Sequence, residues 1–316
     1  MSRFEKMQTL VILAAVITGL MIGQNAFISH YAENFIMPFL LLMLYGLFLS
    51  VPVKNLQAAF KNLKFLSIST IINFIWTPLL AYGLGALFLS DHPALWLGFI
   101  LLLVTPCTDW YLIFTSIAKG NLSLSTSILP VNLILQMVLL PVYLLIFSST
   151  FETVSAGTVF ESVFLVLVLP FILANITKYL FRNKNQFLKQ RLLPFFSSSQ
   201  IFLLSLAVTA MFASEGGVLF ENLDIMILIL IPLLLFFVVN FIVAETAGRI
   251  FKFSYENLVS LNMTVAARNS PLALGIVIAA FPDEPLVAFV LVAGPLVELP
   301  VLALVSNVLL RSRKYR

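Results

Sequence analysis

Residues 94–118 read ALWLGFILLLVTPCTDWYLIFTSIA, a long apolar run broken once, at Thr105-Pro106-Cys107-Thr108-Asp109-Trp110. About 20 consecutive apolar residues cross a bilayer, so the run is long enough to be a span. A hydroxyl residue, a proline and a carboxylate sit at its middle. Residues 256–281, ENLVSLNMTVAARNSPLALGIVIAAF, repeat the arrangement with Ala267-Arg268-Asn269-Ser270-Pro271. Thr105-Pro106 and Ser270-Pro271 each have the form of an N-cap followed by proline at the first helical position. The reading is therefore of two helices that stop and restart inside the membrane. A restart exposes N–H groups at a positive dipole end, and the preceding half-helix leaves carbonyls unpaired. Hydrocarbon penalises both unless they face a polar cavity. Two such breaks mark a binding site near the bilayer midplane.

The rest of the chain supports a membrane setting. Of 316 residues 61% are hydrophobic and 10% charged, and the mean hydropathy is +1.06, against about 45–50% apolar and about 25% charged in soluble domains. One cysteine and two histidines exclude a disulfide or metal scaffold. Apolar runs predict ten spans, roughly 8–26, 33–53, 65–89, 94–118, 122–148, 157–181, 195–214, 224–248, 256–281 and 284–310. Assigning the connections alternately to two sides places 17 of the 18 basic residues on one side. The other side carries acidic residues such as Glu33, Asp91 and Glu284, together with His30 and His92. The positive-inside rule makes the basic side cytoplasmic, with both termini inside a plasma (inner) membrane. The first span lacks a small-residue cleavage pattern and is expected to be retained rather than removed as a signal peptide. The net charge of +4 is thus a topology signal, and no nucleic-acid partner is expected.

Spans two to five begin near 33, 65, 94 and 122, and spans seven to ten near 195, 224, 256 and 284, giving offsets of 162, 159, 162 and 162. The expected architecture is an all-α polytopic membrane protein of two five-helix repeats, 1–150 and 151–316. Five is odd, so the second copy enters from the opposite side and the repeats are inverted.

Three charged residues lie deep in spans: Asp109, Arg268 and Glu298. A charge at the bilayer centre costs at least about 2.5–3.5 kcal/mol, so they are expected to face inward, with Arg268 paired to one acid and the other carboxylate left to titrate or hold a cation. Gln136 lies 162 residues before Glu298, so an amide in one repeat answers a carboxylate in the other. Asn73 and Asn132 are further polar points in apolar runs, and Asn73 reads best as interhelical glue. Cys107 sits in the break itself, where a thiol is either a small apolar filler or a soft ligand favoured near a helix N-terminus. Glu245 and Arg249 form an i,i+4 pair at the cytoplasmic end of span eight. There is no phosphate-cradling glycine loop, no histidine metal spacing and no nucleophile with a histidine base. Neither an enzyme nor a resident cofactor or metal is expected, and transport energy must come from an ion gradient.

The stretch from Thr105 to Asn121, the Arg268-Asn269-Ser270 segment and Gly294-Pro295-Leu296-Val297-Glu298-Leu299-Pro300-Val301 resemble the bile acid:sodium symporter superfamily, and within it most closely the arsenical-resistance permeases. The resemblance covers essentially the whole chain. It implies ten spans with broken, crossing helices 4 and 9, a panel domain moving against a core, and a substrate site beside the crossing. In arsenite permeases a cysteine in helix 4 and a glutamate in the last helices are functional, and the matching residues are Cys107 and Glu298. In the sodium-coupled branch a glutamate and a glutamine at the helix-9 crossing help ligate sodium; Thr264 and Arg268 match them here. An arginine there repels a cation.

The expectation is a secondary carrier that exports arsenite or a related metalloid in exchange for protons. The substrate-binding residues would be Cys107, Thr108, Asp109, Arg268, Asn269 and Ser270, with Glu298, Gln136 and Asp109 coupling the ion. Thr105, Pro106 and Pro271 would set the breaks. The alternative is a sodium- or proton-coupled carrier in which Arg268 and the half-helix N-termini receive an organic anion.

Overall fold

The chain is described from a computed structural model, which covers residues 3–50, 59–108, 110–150, 156–181, 185–221, 223–282 and 284–313. Among the described residues there is no β-strand. Helices follow one another as α1 (Arg3–Ile22), α2 (Ala26–Ser50), α3 (Phe60–Phe88), α4 (Pro93–Leu103), α5 (Trp110–Ile117) and α6 (Leu122–Thr150). The second half continues with α7 (156–180), α8 (185–221), α9 (Leu223–Ile250), α10 (Tyr255–Ala266), α11 (Ser270–Ala280) and α12 (Pro285–Ser312). Seven of the described helices are long and apolar enough to cross a membrane, and the protein is a multi-pass membrane protein. The fourth and ninth apolar runs are each two short helices, α4 with α5 and α10 with α11, as the polar interruptions suggest.

Local chemistry sets several of these boundaries. The apolar pattern puts the second span at 33, whereas α2 begins at Ala26 because Asn25 caps it, its Oδ1 accepting the Phe27 N–H at 3.0 Å. In α3 and α7 a π-turn (Ile72–Trp76 and Phe164–Val168) ends two residues before a proline, Pro78 and Pro170. Proline cannot donate to the carbonyl four residues back and its ring collides with it, so widening the preceding turn relieves the conflict. Asn73 lies on the first of these widened turns.

The chain forms two compact units, each assembled from separate segments. One comprises Met1–Val51, Ser148–Leu223 and Pro271–Val292, with α8 packed on α1 and α2. Gly19 and Gly23 let α1 approach α8 closely, since a Cβ at either would lie 2.5 or 2.4 Å from the carbonyl oxygens of Thr209 and Ala213. The other comprises Pro52–Phe147, Asp224–Ser270 and Ala293–Arg316. Its apolar core joins Phe65, Ile68 and Ile72 of α3, Leu124 and Ile128 of α6, and Leu261 and Val265 of α10. Both helix breaks belong to this second unit.

Candidate functional site

The two breaks hydrogen-bond to each other. After α4 the chain leaves helical geometry, and after α10 Ala267 turns extended, with φ −75° and ψ 138°. The two irregular segments run antiparallel, bridged at Pro106 and Arg268. The Cys107 N–H donates to the Ala267 carbonyl at 3.0 Å, and the Asn269 N–H donates to the Thr105 carbonyl at 2.7 Å. Each break thereby satisfies backbone groups that the other has freed, which hydrocarbon would leave costly.

The structure corrects one feature of the sequence reading. Thr105 is not the N-cap of a helix restarting at Pro106, because α5 begins at Trp110. Thr105 instead closes the end of α4: its hydroxyl donates to the carbonyls of Leu102 at 2.9 Å and Leu101 at 3.2 Å. A threonine bonding back to the preceding turn satisfies C-terminal carbonyls as readily as a cap satisfies N-terminal amides, and the sequence does not distinguish the two. Ser270-Pro271 matches the expectation more closely, with α11 starting at Ser270 and Pro271 in its first turn.

Arg268 is 1% exposed, and its guanidinium is surrounded by oxygen. Nη1 donates to the Leu103 carbonyl at 2.9 Å, Nε to the Ala266 carbonyl at 3.4 Å, and Nη2 to Asn73 Oδ1 at 3.3 Å and to the Val265 carbonyl. Leu103 ends α4, while Val265 and Ala266 end α10. The C-terminus of a helix carries unpaired carbonyls and about half a negative charge. Two such ends converge here, and the arginine is their shared counter-charge. The ring of Phe236 lies 5.2 Å from the guanidinium carbon and adds a cation–π contact.

The expected ion pair between Arg268 and an acid is not formed by Glu298. Among the described residues the guanidinium makes no ion pair with any carboxylate, and four of its five donors go to the cage. Glu298, 3% exposed, accepts instead from the Arg268 backbone N–H, 2.9 Å from its Oε1. Asp109 lies outside the described residues.

Cys107, 3% exposed, and Thr108 occupy the α4–α5 break, and Asn269 Nδ2 reaches Thr108 Oγ1 at 3.4 Å. Ser270 is buried beside them in sequence. On α6, Asn132 Nδ2 donates to Thr264 Oγ1 of α10 at 3.3 Å. Gln136 lies one turn further along α6, on the same face as Asn132. Its amide is 1% exposed, yet neither its oxygen nor its nitrogen has a partner among the described residues. Asn73 also differs from its expected role as glue, since it completes the arginine cage. Sequence reasoning passed over Asn240, which accepts from Trp76 Nε1 at 3.1 Å and donates to the Val265 carbonyl at 3.4 Å. A lone amide inside the apolar run of α9 was the available signal.

The first break lies within a segment, residues 37–222, that matches the model of the Sodium Bile acid symporter family. The chain belongs to this family. Its similar proteins include the arsenical-resistance protein Acr3 of Corynebacterium glutamicum, 24% identical over 83% of this chain and 74% of that protein. Another is the arsenical-resistance protein Acr3 of Alkaliphilus metalliredigens, also 24% identical, over 99% of this chain and 94% of the relative. Both resemblances read from the sequence, to the sodium bile acid symporters and to the arsenical-resistance proteins, are therefore found. Within the family this chain is a transporter.

Proposed function

We propose that this symporter-family member is an ion-coupled carrier that exports arsenite or a related metalloid across the plasma membrane. Ten spans in two inverted repeats, 1–150 and 151–316, would carry out alternating access with both termini cytoplasmic. Helix starts support the duplication: Phe60 and Leu223, Pro93 and Tyr255, and Leu122 and Pro285 are separated by 163, 162 and 163 residues.

The observation that carries the substrate assignment is the closed cage around Arg268. A guanidinium has five N–H donors, and its carbonyl and amide acceptors take all three of its nitrogens. An arginine so engaged does not serve as the receptor for an organic anion. It also occupies with fixed charge the oxygen-lined place in which a coupling cation would sit. A small neutral solute is assigned to the crossing, with the Cys107 thiol as a soft ligand and the Gln136 amide as a hydrogen-bonding group. Thr108, Asn269 and Ser270 supply further polar groups, and Asp109 is assigned to the site by its place in the same break. Glu298 is the proposed proton-exchanging carboxylate. The relatives named for arsenical resistance agree with this reading.

Expression of the intact chain in a host stripped of its own arsenite exporters is expected to lower cellular arsenic and raise arsenite tolerance. Unchanged accumulation with correctly inserted protein contradicts the proposal.

Gln136 supplies a sharper check. A buried amide without partners costs about 1–3 kcal/mol, so Gln136→Leu is expected to raise the thermal unfolding temperature of the detergent-solubilised protein while reducing arsenite export. A structural amide would show the reverse in stability.

A further inference from the structure

The second unit has a groove that the proposed transport cycle does not use. Between α9 and α12 lies a cavity of about 280 Å³ with apolar walls, including Leu234, Val238, Leu304 and Val305. A second cavity, of about 570 Å³, continues from it, since Phe241 and Val308 line both. The second ends among Glu245, Thr246, Arg249 and Ser312. The two form one channel with an apolar leg and a polar head.

Its length matches one leaflet. Leu234 and Arg249 are fifteen residues apart, about 22 Å along a helix. Half the hydrocarbon thickness is about 15 Å, so a groove of this length runs from near the bilayer centre into the headgroup layer. The side of the leg is open, with Val238 55% and Leu304 63% exposed.

One arginine and one glutamate line the polar head, and they face differently. The Arg249 side chain is 75% exposed, and its contact with Glu245 is loose at 3.7 Å. The Glu245 carboxylate is turned inward, where Asn262 Nδ2 donates to it at 3.4 Å. Outside the lining, Lys252 follows the end of α9 and Arg311 precedes Ser312 in the last turn of α12, and both are exposed. Ordinary lipid contact requires none of these groups.

We infer that this groove binds an anionic phospholipid, one acyl chain lying along the apolar leg and the phosphate held by Arg249 with the hydroxyls of Thr246 and Ser312. An acyl chain alone would explain the leg, and the exposed Arg249 guanidinium, with the Glu245 carboxylate turned inward and Lys252 and Arg311 flanking the head, selects a headgroup with net negative charge.

The test uses the full chain, purified in mild detergent, stripped of lipid and examined by native mass spectrometry. It is titrated with dioleoyl phosphatidylglycerol and with dioleoyl phosphatidylcholine, which share tails and differ in headgroup charge. Phosphatidylglycerol adducts are expected at about fivefold lower lipid concentration, the scale of one basic residue at a membrane surface. Arg249→Ala should bring phosphatidylglycerol to the level of phosphatidylcholine. Leu304→Trp, which fills the apolar leg, should weaken both lipids together. Both positions are exposed, so either variant tests the site with the fold retained. Equal binding of the two lipids by the intact chain overturns the inference, as does a phosphatidylglycerol preference that survives both substitutions. A dimer mass in place of lipid adducts also overturns it, because the groove would then be covered by a second copy.

Discussion

Replacing Arg268 with glutamine should destabilise the folded protein by about 2–4 kcal/mol, since hydrogen bonds from a charged donor are worth about 1.5–3 kcal/mol each and glutamine restores only some of them. The carbonyls of Leu103, Val265 and Ala266 and the oxygen of Asn73 lose their donor together. Each buried acceptor left unpaired costs about 1–3 kcal/mol before relaxation, and two helix C-termini lose their counter-charge. A glutamine amide offers two N–H donors and no charge, so it repairs part of the cage. Arg268→Lys restores charge with three donors at a single point and should recover about half of the loss. Thermal and denaturant unfolding in detergent reads both effects. An Arg268→Gln protein as stable as the parent would show that the cage does not hold the crossing together.

The second large effect is expected at Cys107. Its backbone N–H anchors the crossing through the Ala267 carbonyl, and serine preserves that bond and nearly the same volume. Cys107→Ser should therefore fold normally, with an unfolding temperature close to that of the intact chain. If the thiol is the soft contact for a metalloid, the same substitution lowers arsenite export on the order of a hundredfold, equivalent to about 2.7 kcal/mol. Efflux from preloaded cells at matched expression makes the measurement. Export that survives the substitution removes Cys107 from the mechanism, leaving it a buried filler of the crossing.

Much of this architecture is written in the apolar pattern. Runs of apolar residues locate the long helices because a bilayer demands them, and interruptions at 105–110 and 267–271 are legible because polar residues are expensive there. The direction of each interruption is less legible. Thr105 closes α4 rather than opening α5, since the same hydroxyl serves either purpose and the choice depends on where neighbouring carbonyls lie. Arg268 is legible as a deep charge, and the cage around it is not, for a related reason. A charge count looks for an acid beside the arginine, whereas three of the four acceptors among the described residues are main-chain oxygens, which every residue has and no sequence displays. Asn73 and Asn240 belong to the site for the same cause: one sits on a π-turn before Pro78, the other in the apolar stretch of α9, and only the fold brings them to Arg268 and to the Val265 carbonyl. Gln136 was readable as a polar point on α6, but its unpaired state is visible only in three dimensions.

Proton-coupled export of a metalloid makes Glu298 the titrating group. Its most direct test is arsenite flux into proteoliposomes containing the purified chain, driven by an imposed pH gradient in sodium-free buffer, with Glu298→Gln beside the intact protein. The glutamine oxygen still accepts the Arg268 N–H, so the crossing is retained. The account predicts that flux in the intact protein follows the proton gradient and collapses with a protonophore. In Glu298→Gln the gradient-driven component should fall on the order of 10²-fold, the scale on which positioned proton-transfer groups act. Flux that ignores the pH gradient, requires sodium or persists unchanged in Glu298→Gln would contradict the account.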